Sequence, residues 1–367
     1  MLSHIDVAII GGGSAGMSLA ANLADLASPP EVRIFEPRTE KERDCHWSFW
    51  GSEPYLSALK PACKGIWKRW QLIDHNGKVA HESRSHHYIT LSASEYLKLC
   101  KANLHPKIQL IRNAVEDLDF EDNIAFLTAG DTSYAAAHVF DSRPPETKSG
   151  GMVQHFLGRE IRTKKPIKES DTVTLMDFRV DQSRGLHFIY MLPFSPTHLL
   201  VESTMISKTP EPQQWYLESI GNWLDERGIG VERDIGLESG IIPMDKIKPQ
   251  DPRTSAIGVA SGAIRQSSGY SFNYVQHQAK QLAERISRGC YDVPVPISNK
   301  LVFMDRLFNR VLTKHPELAV DLFMQMAGSL NGEQFARFMM GRASLAEWAK
   351  VILAMPKMPF MRHIWSV

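Results

Sequence analysis

Residues 5–23 run Ile-Asp-Val-Ala-Ile-Ile-Gly-Gly-Gly-Ser-Ala-Gly-Met-Ser-Leu-Ala-Ala-Asn-Leu. The apolar stretch Val7 to Ile10 predicts a buried strand opening into glycines at 11, 13 and 16, and Leu19, Leu23 and Leu26 then follow a helical period. Strand, tight turn and helix in that order suit a dinucleotide. Gly11 permits the turn, Gly13 admits the pyrophosphate, and Gly16 lets helix and strand pack closely. Ser14 and Ala15 complete the turn, and the pyrophosphate belongs on the helix N-terminus. A second strand, Val32 to Phe35, ends at Glu36, twenty residues after Gly16. A carboxylate there accepts hydrogen bonds from both hydroxyls of a ribose, which favours FAD or NAD over NADP. Because the fingerprint opens at residue 11, as in many flavoproteins, FAD is the expected cofactor.

The 367 residues are enough for two domains, and 43% hydrophobic with 23% charged is ordinary for a soluble chain. A net charge of +1 from 42 basic and 41 acidic residues gives no electrostatic case for a nucleic-acid partner. The cysteines at 45, 63, 100 and 290 are too scattered for a disulfide framework or a thiolate metal site, so reduced thiols and no metal are expected. No leader sequence and no run of eighteen apolar residues is found, so the expected location is cytoplasmic.

Three large aromatics, Trp47, Phe49 and Trp50, fall within a stretch expected to be a loop, where they would either line something apolar or plug the core by packing the loop on the first domain. His87 to Leu91 predicts a strand and the residues after it a helix capped by Ser92 or Ser94. The run Ala135 to Phe140 enters Asp141-Ser142-Arg143, an acid and an arginine where many FAD enzymes return the chain to the cofactor. From residue 150 to 206 the pattern becomes extended, with strands over Thr172–Val180, Leu186–Leu192 and His198–Ile206. Period-two alternation on the third places Leu200, Glu202 and Thr204 on one face and Leu199, Val201, Ser203 and Met205 on the other. Both faces are apolar enough to be covered, so Glu202 is expected to be desolvated, which raises a carboxyl pKa toward the range useful for proton transfer. A short strand follows at Glu238 to Pro243, then a small strand Ile257 to Ala260 entering a glycine-rich junction with Gly262, Ser268 and Gly269, suited to the flavin end of the cofactor. Beyond Pro296 the chain is expected to be helical, and residues 355–367 are basic and apolar with no acid. Lys357, Phe360, Arg362 and Trp365 there suit either peripheral contact with a membrane or an ordinary helical layer packed on the sheet.

The motifs Gly11-Gly12-Gly13-Ser14-Ala15-Gly16, His46-Trp47-Ser48-Phe49, Met176-Asp177, Phe188 to Ser195, Leu200-Val201-Glu202, Ser267-Ser268-Gly269-Tyr270 and Gly341 to Leu345 together resemble the bacterial lycopene β-cyclases. The resemblance runs from end to end. It implies a Rossmann-type α/β FAD domain like that of aromatic hydroxylases and geranylgeranyl reductases, an antiparallel substrate sheet and a C-terminal helical segment. It also implies reduced FAD, NAD(P)H as electron donor, and a hydrophobic polyene closed into rings without net redox change. On this reading Glu202 is the catalytic carboxylate. The position after it, often a second acid in the family, is Ser203 here, so Asp177 or Glu238 could share the proton transfers. Trp47, Phe49, Tyr190 and Tyr270 are the expected substrate walls. The expected division gives 1–80, 105–150 and 250–290 to the FAD domain, 81–104 and 151–249 to the substrate domain, and 291–367 to the helical region. An FAD monooxygenase, or a cyclase or reductase for another isoprenoid, remains the alternative on the same scaffold.

Overall fold

The structure is a computed structural model describing residues 2–145, 150–245 and 247–364. The strand Leu2–Ile10 lies between Val32–Phe35 and Thr132–Asp141 with parallel pairing on both sides, and Ile108–Ile111 extends the parallel set. Val7, Ala8 and Ile9 are wholly buried, as a continuous apolar run in a parallel strand covered on both faces requires. Ile124–Ala129 and Asp117–Glu121 add two antiparallel strands. The helices Ser14–Ala24 and Phe272–Ile286 pack together against this sheet, sharing one apolar core.

A second sheet runs in the order Val231–Pro243, Val153–Thr163, His198–Ser207, Leu186–Ser195, Thr172–Asp177, Arg69–Ile73, Lys78–Glu82. It is antiparallel except where Thr172–Asp177 meets Arg69–Ile73 in parallel. The alternation expected on the Glu202 strand is present. Leu199 and Val201 pack on the helix Gln213–Glu226, while Leu200 faces the core built with Phe188 and the C-terminal helices. A third, small sheet holds His46–Gly51, His87–Ser92 and Cys63–Trp67. Five helices, Asn299–Lys314, Ala319–Gly328, Gly332–Met339, Leu345–Ala354 and Lys357–His363, close the chain.

The expected boundaries depart from these sheets in two places. Residues 69–82 belong to the large sheet and not to the nucleotide side, because Trp70 and Leu72 are buried among Val173, Leu175 and the C-terminal helices. The helix Ala93–Ala102, expected on the substrate side, instead packs Tyr96, Leu97 and Cys100 into the core beneath Leu19 and Leu23. Three local expectations also change. The aromatic stretch is a strand, His46–Gly51, since paired backbone and buried aromatics suit each other. The short strand at Glu238 is the end of a thirteen-residue edge strand, Val231–Pro243, whose polar first half hides it from a periodicity reading. Ile257 to Ala260 is not a strand: Gly258 takes φ +67° and starts a 3-10 turn, leaving Ser255–Ala256 to pair with the sheet.

Candidate active site

Three neighbouring strands bring two carboxyls together. Gly158 on Val153–Thr163 stands opposite Glu202 on one side and opposite Glu238 on the other. A Cβ on residue 158 would lie 2.8 Å from the Cγ of Glu202 and 3.3 Å from that of Glu238. The missing side chain therefore lets the two acids converge until their carboxyls are within hydrogen-bonding reach. Glu202 is 8% exposed. Burial first, and the neighbouring Glu238 carboxyl second, push its pKa well above the usual carboxylate range, which favours the protonated acid. Gly158→Val should keep the nucleotide site intact yet lower turnover by up to about 100-fold, since displacing reacting groups by roughly an ångström costs that much. Steady-state rates at full flavin content check this; an unchanged rate would mean the convergence is irrelevant.

Glu238 is held from the other side by His46, whose backbone N–H donates to it at 2.9 Å and whose ring Nδ1 lies 3.0 Å from its second oxygen. The far nitrogen of His46 is 3.8 Å from Glu160. Burial opposes the charge on Glu160, but Lys64 at 2.8 Å and His198 at 2.6 Å outweigh it and hold its pKa below the usual range. Charge thus accumulates behind Glu238 and is absent in front of Glu202.

In front of Glu202 is a cavity of about 210 Å³ walled by Trp47, Phe156, Phe188, Tyr190 and Tyr270, with Ser14 on its margin. The hydroxyl of Tyr88 bridges those of Tyr190 and Tyr270, each at 2.9 Å, and Tyr190 donates to Ser48 at 2.9 Å. Burial raises the pKa of all three phenols well above normal, so they stay neutral and spend their hydroxyls on one another. The cavity thus meets aromatic faces together with a few polar groups, among them Ser48, Gln154 and Thr204.

Two expected site residues lie elsewhere. Asp177 is wholly buried on the opposite face of the sheet, where Trp223 donates at 3.0 Å, Arg227 at 2.7 Å and Arg179 at 2.8 Å. Burial opposes its charge, but those donors win and hold its pKa below normal, which makes it a structural ion pair and a poor proton donor. Phe49 stacks on Phe272 with ring centroids 4.6 Å apart and belongs to the core of the nucleotide side. It sits one residue pair deeper than Trp47, beyond the end of the cavity.

At the glycine turn, Gly11 takes φ +94° and a Cβ on Gly16 would sit 2.1 Å from the Gly11 carbonyl oxygen, so both glycines are required by the backbone. Glu36 is buried and accepts from Gly12 N at 3.0 Å and from Arg43 at 2.6 Å. The guanidinium of Arg43 lies over Gly13, 2.6 Å from where a Cβ would be, and its Nε is buried with no protein partner. A cation with an unspent donor above a bare helix N-terminus fits the diphosphate and ribose of FAD. Asp141 is at the mouth of this turn, paired with Arg143 at 2.6 Å, and Ser142 donates to the Gly11 carbonyl at 2.8 Å. Ala15 is buried against Gly258, where a Cβ would come within 2.5 Å. Ser268 and Gly269 line the Glu202 cavity, with the Ser268 hydroxyl buried and unpaired, whereas Gly262 contributes a left-handed turn at φ +92° and no wall.

The profile described as lycopene cyclase protein matches residues 6–364. The chain belongs to the lycopene cyclase family. It is 22% identical to a lycopene beta-cyclase of Pantoea ananas over 100% of this chain and 99% of the relative. It is 25% identical to a lycopene beta-cyclase of Paracoccus sp. (strain N81106 / MBIC 01143), covering 96% and 95%. Among solved structures, a geranylgeranyl bacteriochlorophyll reductase-like protein from Thermoplasma acidophilum shares the fold over 100% of both chains with TM-score 0.66 at 12% identity. The flavin-dependent brominase Bmp2 does so over 99% of both, with TM-score 0.61 at 14% identity. The expected α/β architecture, akin to reductases and hydroxylases of this type, is thus the observed one.

In this lycopene cyclase family member, the sequence reading gave no role to Gly158, Arg43 and Tyr88, and named His46 only as part of a motif. Gly158 carried a signal: a glycine inside a strand-like run marks close approach of a neighbour. Arg43 carried none, being one charge in a polar segment.

Proposed function

We propose that this chain is a flavin-dependent carotenoid cyclase, closing β-ionone-type rings at the ends of lycopene or a related polyene. The observation that carries the reading is the buried Glu202, set beside Glu238 and facing a cavity with aromatic walls that reaches Ser14 at the N-terminus of the fingerprint helix. Glu202 gives its proton to a terminal alkene, and the resulting cation is attacked by the next double bond to form the ring. The pair of carboxylates left behind then removes a ring proton, restoring the alkene and the acid, so no electron is gained or lost. Aromatic faces of Trp47, Tyr190 and Tyr270 stabilise the cation by the attraction of ring quadrupoles for positive charge. Bound FAD in its reduced form supplies further negative charge, with NAD(P)H as the proposed donor. The residues proposed to hold FAD are Gly11, Gly13, Ser14, Ala15, Gly16, Glu36, Asp141, Ser268 and Gly269, with Arg43 added. Purified protein is tested with lycopene, FAD and dithionite or NAD(P)H in liposomes, under anaerobic conditions. A product of unchanged mass and shifted retention supports the cyclase. A strict need for oxygen would favour the monooxygenase alternative.

No helix among the described residues is long and apolar enough to cross a membrane. We propose peripheral contact through the last helices, where Leu353, Met358 and Met361 are exposed beside Lys357 and Arg362. Trp365, expected to join them, lies outside the described residues. Leu353→Glu with Met361→Glu should cut vesicle flotation more than tenfold, since each buried apolar side chain is worth about 1.5–3 kcal/mol. Flotation equal to wild type would remove this surface from membrane contact.

A further inference from the structure

A second cavity, of about 320 Å³, lies between the helices Asn299–Lys314, Leu345–Ala354 and Lys357–His363. It is larger than the Glu202 cavity, and the two share a wall: Phe323, Met326, Met339 and Ser268 line both. Its mouth is rimmed by exposed apolar side chains, Ile352, Met361 and Ile364, with Lys357 beside them. Apart from Lys357 at the rim, the charged groups in its lining, Arg265 and Asp305, are already spent on each other. Arg265 donates to both oxygens of Asp305 at 2.8 Å and to the Phe338 carbonyl at 3.0 Å, and Ser267 donates to Asp305 at 2.8 Å. A polypeptide segment or a lipid headgroup would find few partners for its polar groups there, whereas a hydrocarbon needs none.

We propose that this outer groove is a loading site for a linear isoprenoid chain, joined to the Glu202 cavity through a movable wall of Phe323, Met326 and Met339. The proposal rests on the polyene reading above. A long chain with one end at Glu202 must leave the small inner cavity, and the shared wall leads directly into the larger apolar one. Two of the three bulky wall residues are methionines, whose unbranched thioether side chains change rotamer at low cost. With the chain threaded, its remainder lies along the groove, whose rim is the surface proposed to touch lipid. A chain that enters lengthwise can withdraw and return with its other end leading.

The test uses the full holoprotein in phosphatidylcholine vesicles with a linear isoprenoid hydrocarbon carrying a diazirine, photolysed and mapped by peptide mass spectrometry. Wild type should be labelled on segments 303–308 and 351–364 and, inside, near Phe156 and Ile242. Met326→Trp with Met339→Trp should keep its FAD and its outer labels while inner labelling falls at least about tenfold, the loss expected when access through the wall is blocked. Met326→Ala with Met339→Ala probes the same wall without added bulk and should label the inner cavity faster. Wild type without labels on the groove, or Trp and Ala pairs whose inner labelling matches wild type, would overturn the proposal. Because labelling does not depend on ring closure, a protein that labels in this pattern but forms no cyclic product would sink the cyclase reading and leave the conduit standing.

Discussion

Glu202→Gln is expected to lower the rate of ring closure by about two orders of magnitude or more, the usual loss on removing a general acid or base, with FAD still bound. Gln fills the same space above Gly158 and can still hydrogen-bond Glu238, so the cavity should survive while the transferable proton does not. Turnover like wild type in this variant would exclude Glu202 from the chemistry. The same variant reports on stability. Burial and the Glu238 carboxyl raise the folded-state pKa of Glu202 above its ordinary value of 4.5, so the folded protein keeps a proton that the unfolded chain releases. The stability this contributes is complete below the ordinary carboxylate range. It is lost as pH rises toward the elevated value, by up to about 1.4 kcal/mol per pH unit. Gln does not titrate. Thermal unfolding curves at pH 5 and pH 8 should therefore show the variant gaining on wild type at the higher pH, and parallel shifts would contradict the raised pKa.

Gly13→Val is expected to yield a colourless protein. The side chain would occupy the approach to the N-terminus of Ser14–Ala24, where several backbone N–H groups have no partner within the helix, and it would push Arg43 away from Glu36. Arg43 can move, being the end of a long side chain, but the space above the helix cannot be recovered once a branched residue fills it. Absorbance near the flavin bands after purification measures the outcome, and circular dichroism separates loss of cofactor from loss of fold. A variant that remained yellow would contradict the assignment of the turn.

The strand, turn and helix of residues 5–23 were legible because the apolar run, the glycine spacing and the helical period all lie within that one stretch. A Cβ on Gly16 would meet the Gly11 carbonyl and Ile9, and Glu36 accepts from Gly12, Arg38 and Arg43, whereas the contact of Gly11 with Ser142 comes from far along the chain and was not needed to read the turn. The buried face of the Glu202 strand was legible for a similar reason, since alternation along one strand assigns faces without knowledge of its partners. Other readings failed where a distant residue decided the matter. Asp177 and Glu202 look alike as acids in apolar strands, but Asp177 is paired by Arg179 and, from some fifty positions further on, by Trp223 and Arg227 across the outer face. Residues 69–82 follow the nucleotide half in sequence, yet Trp70 is buried only by joining the sheet built from residues 153–243.

The chain alone therefore determined an α/β unit with the dinucleotide-binding pattern and an acid on the inner face of a later strand. Tertiary structure decided which second carboxyl stands beside that acid, that Gly158 makes room for both, and where the cavity ends between Trp47 and Phe49. The reason is register. Lateral neighbours in a sheet are set by pairing between distant segments, here residue 158 with residues 202 and 238, and a one-residue slip would turn either acid to the other face. Local pattern carries no record of that alignment; only the packed cores on both sides of the sheet select it.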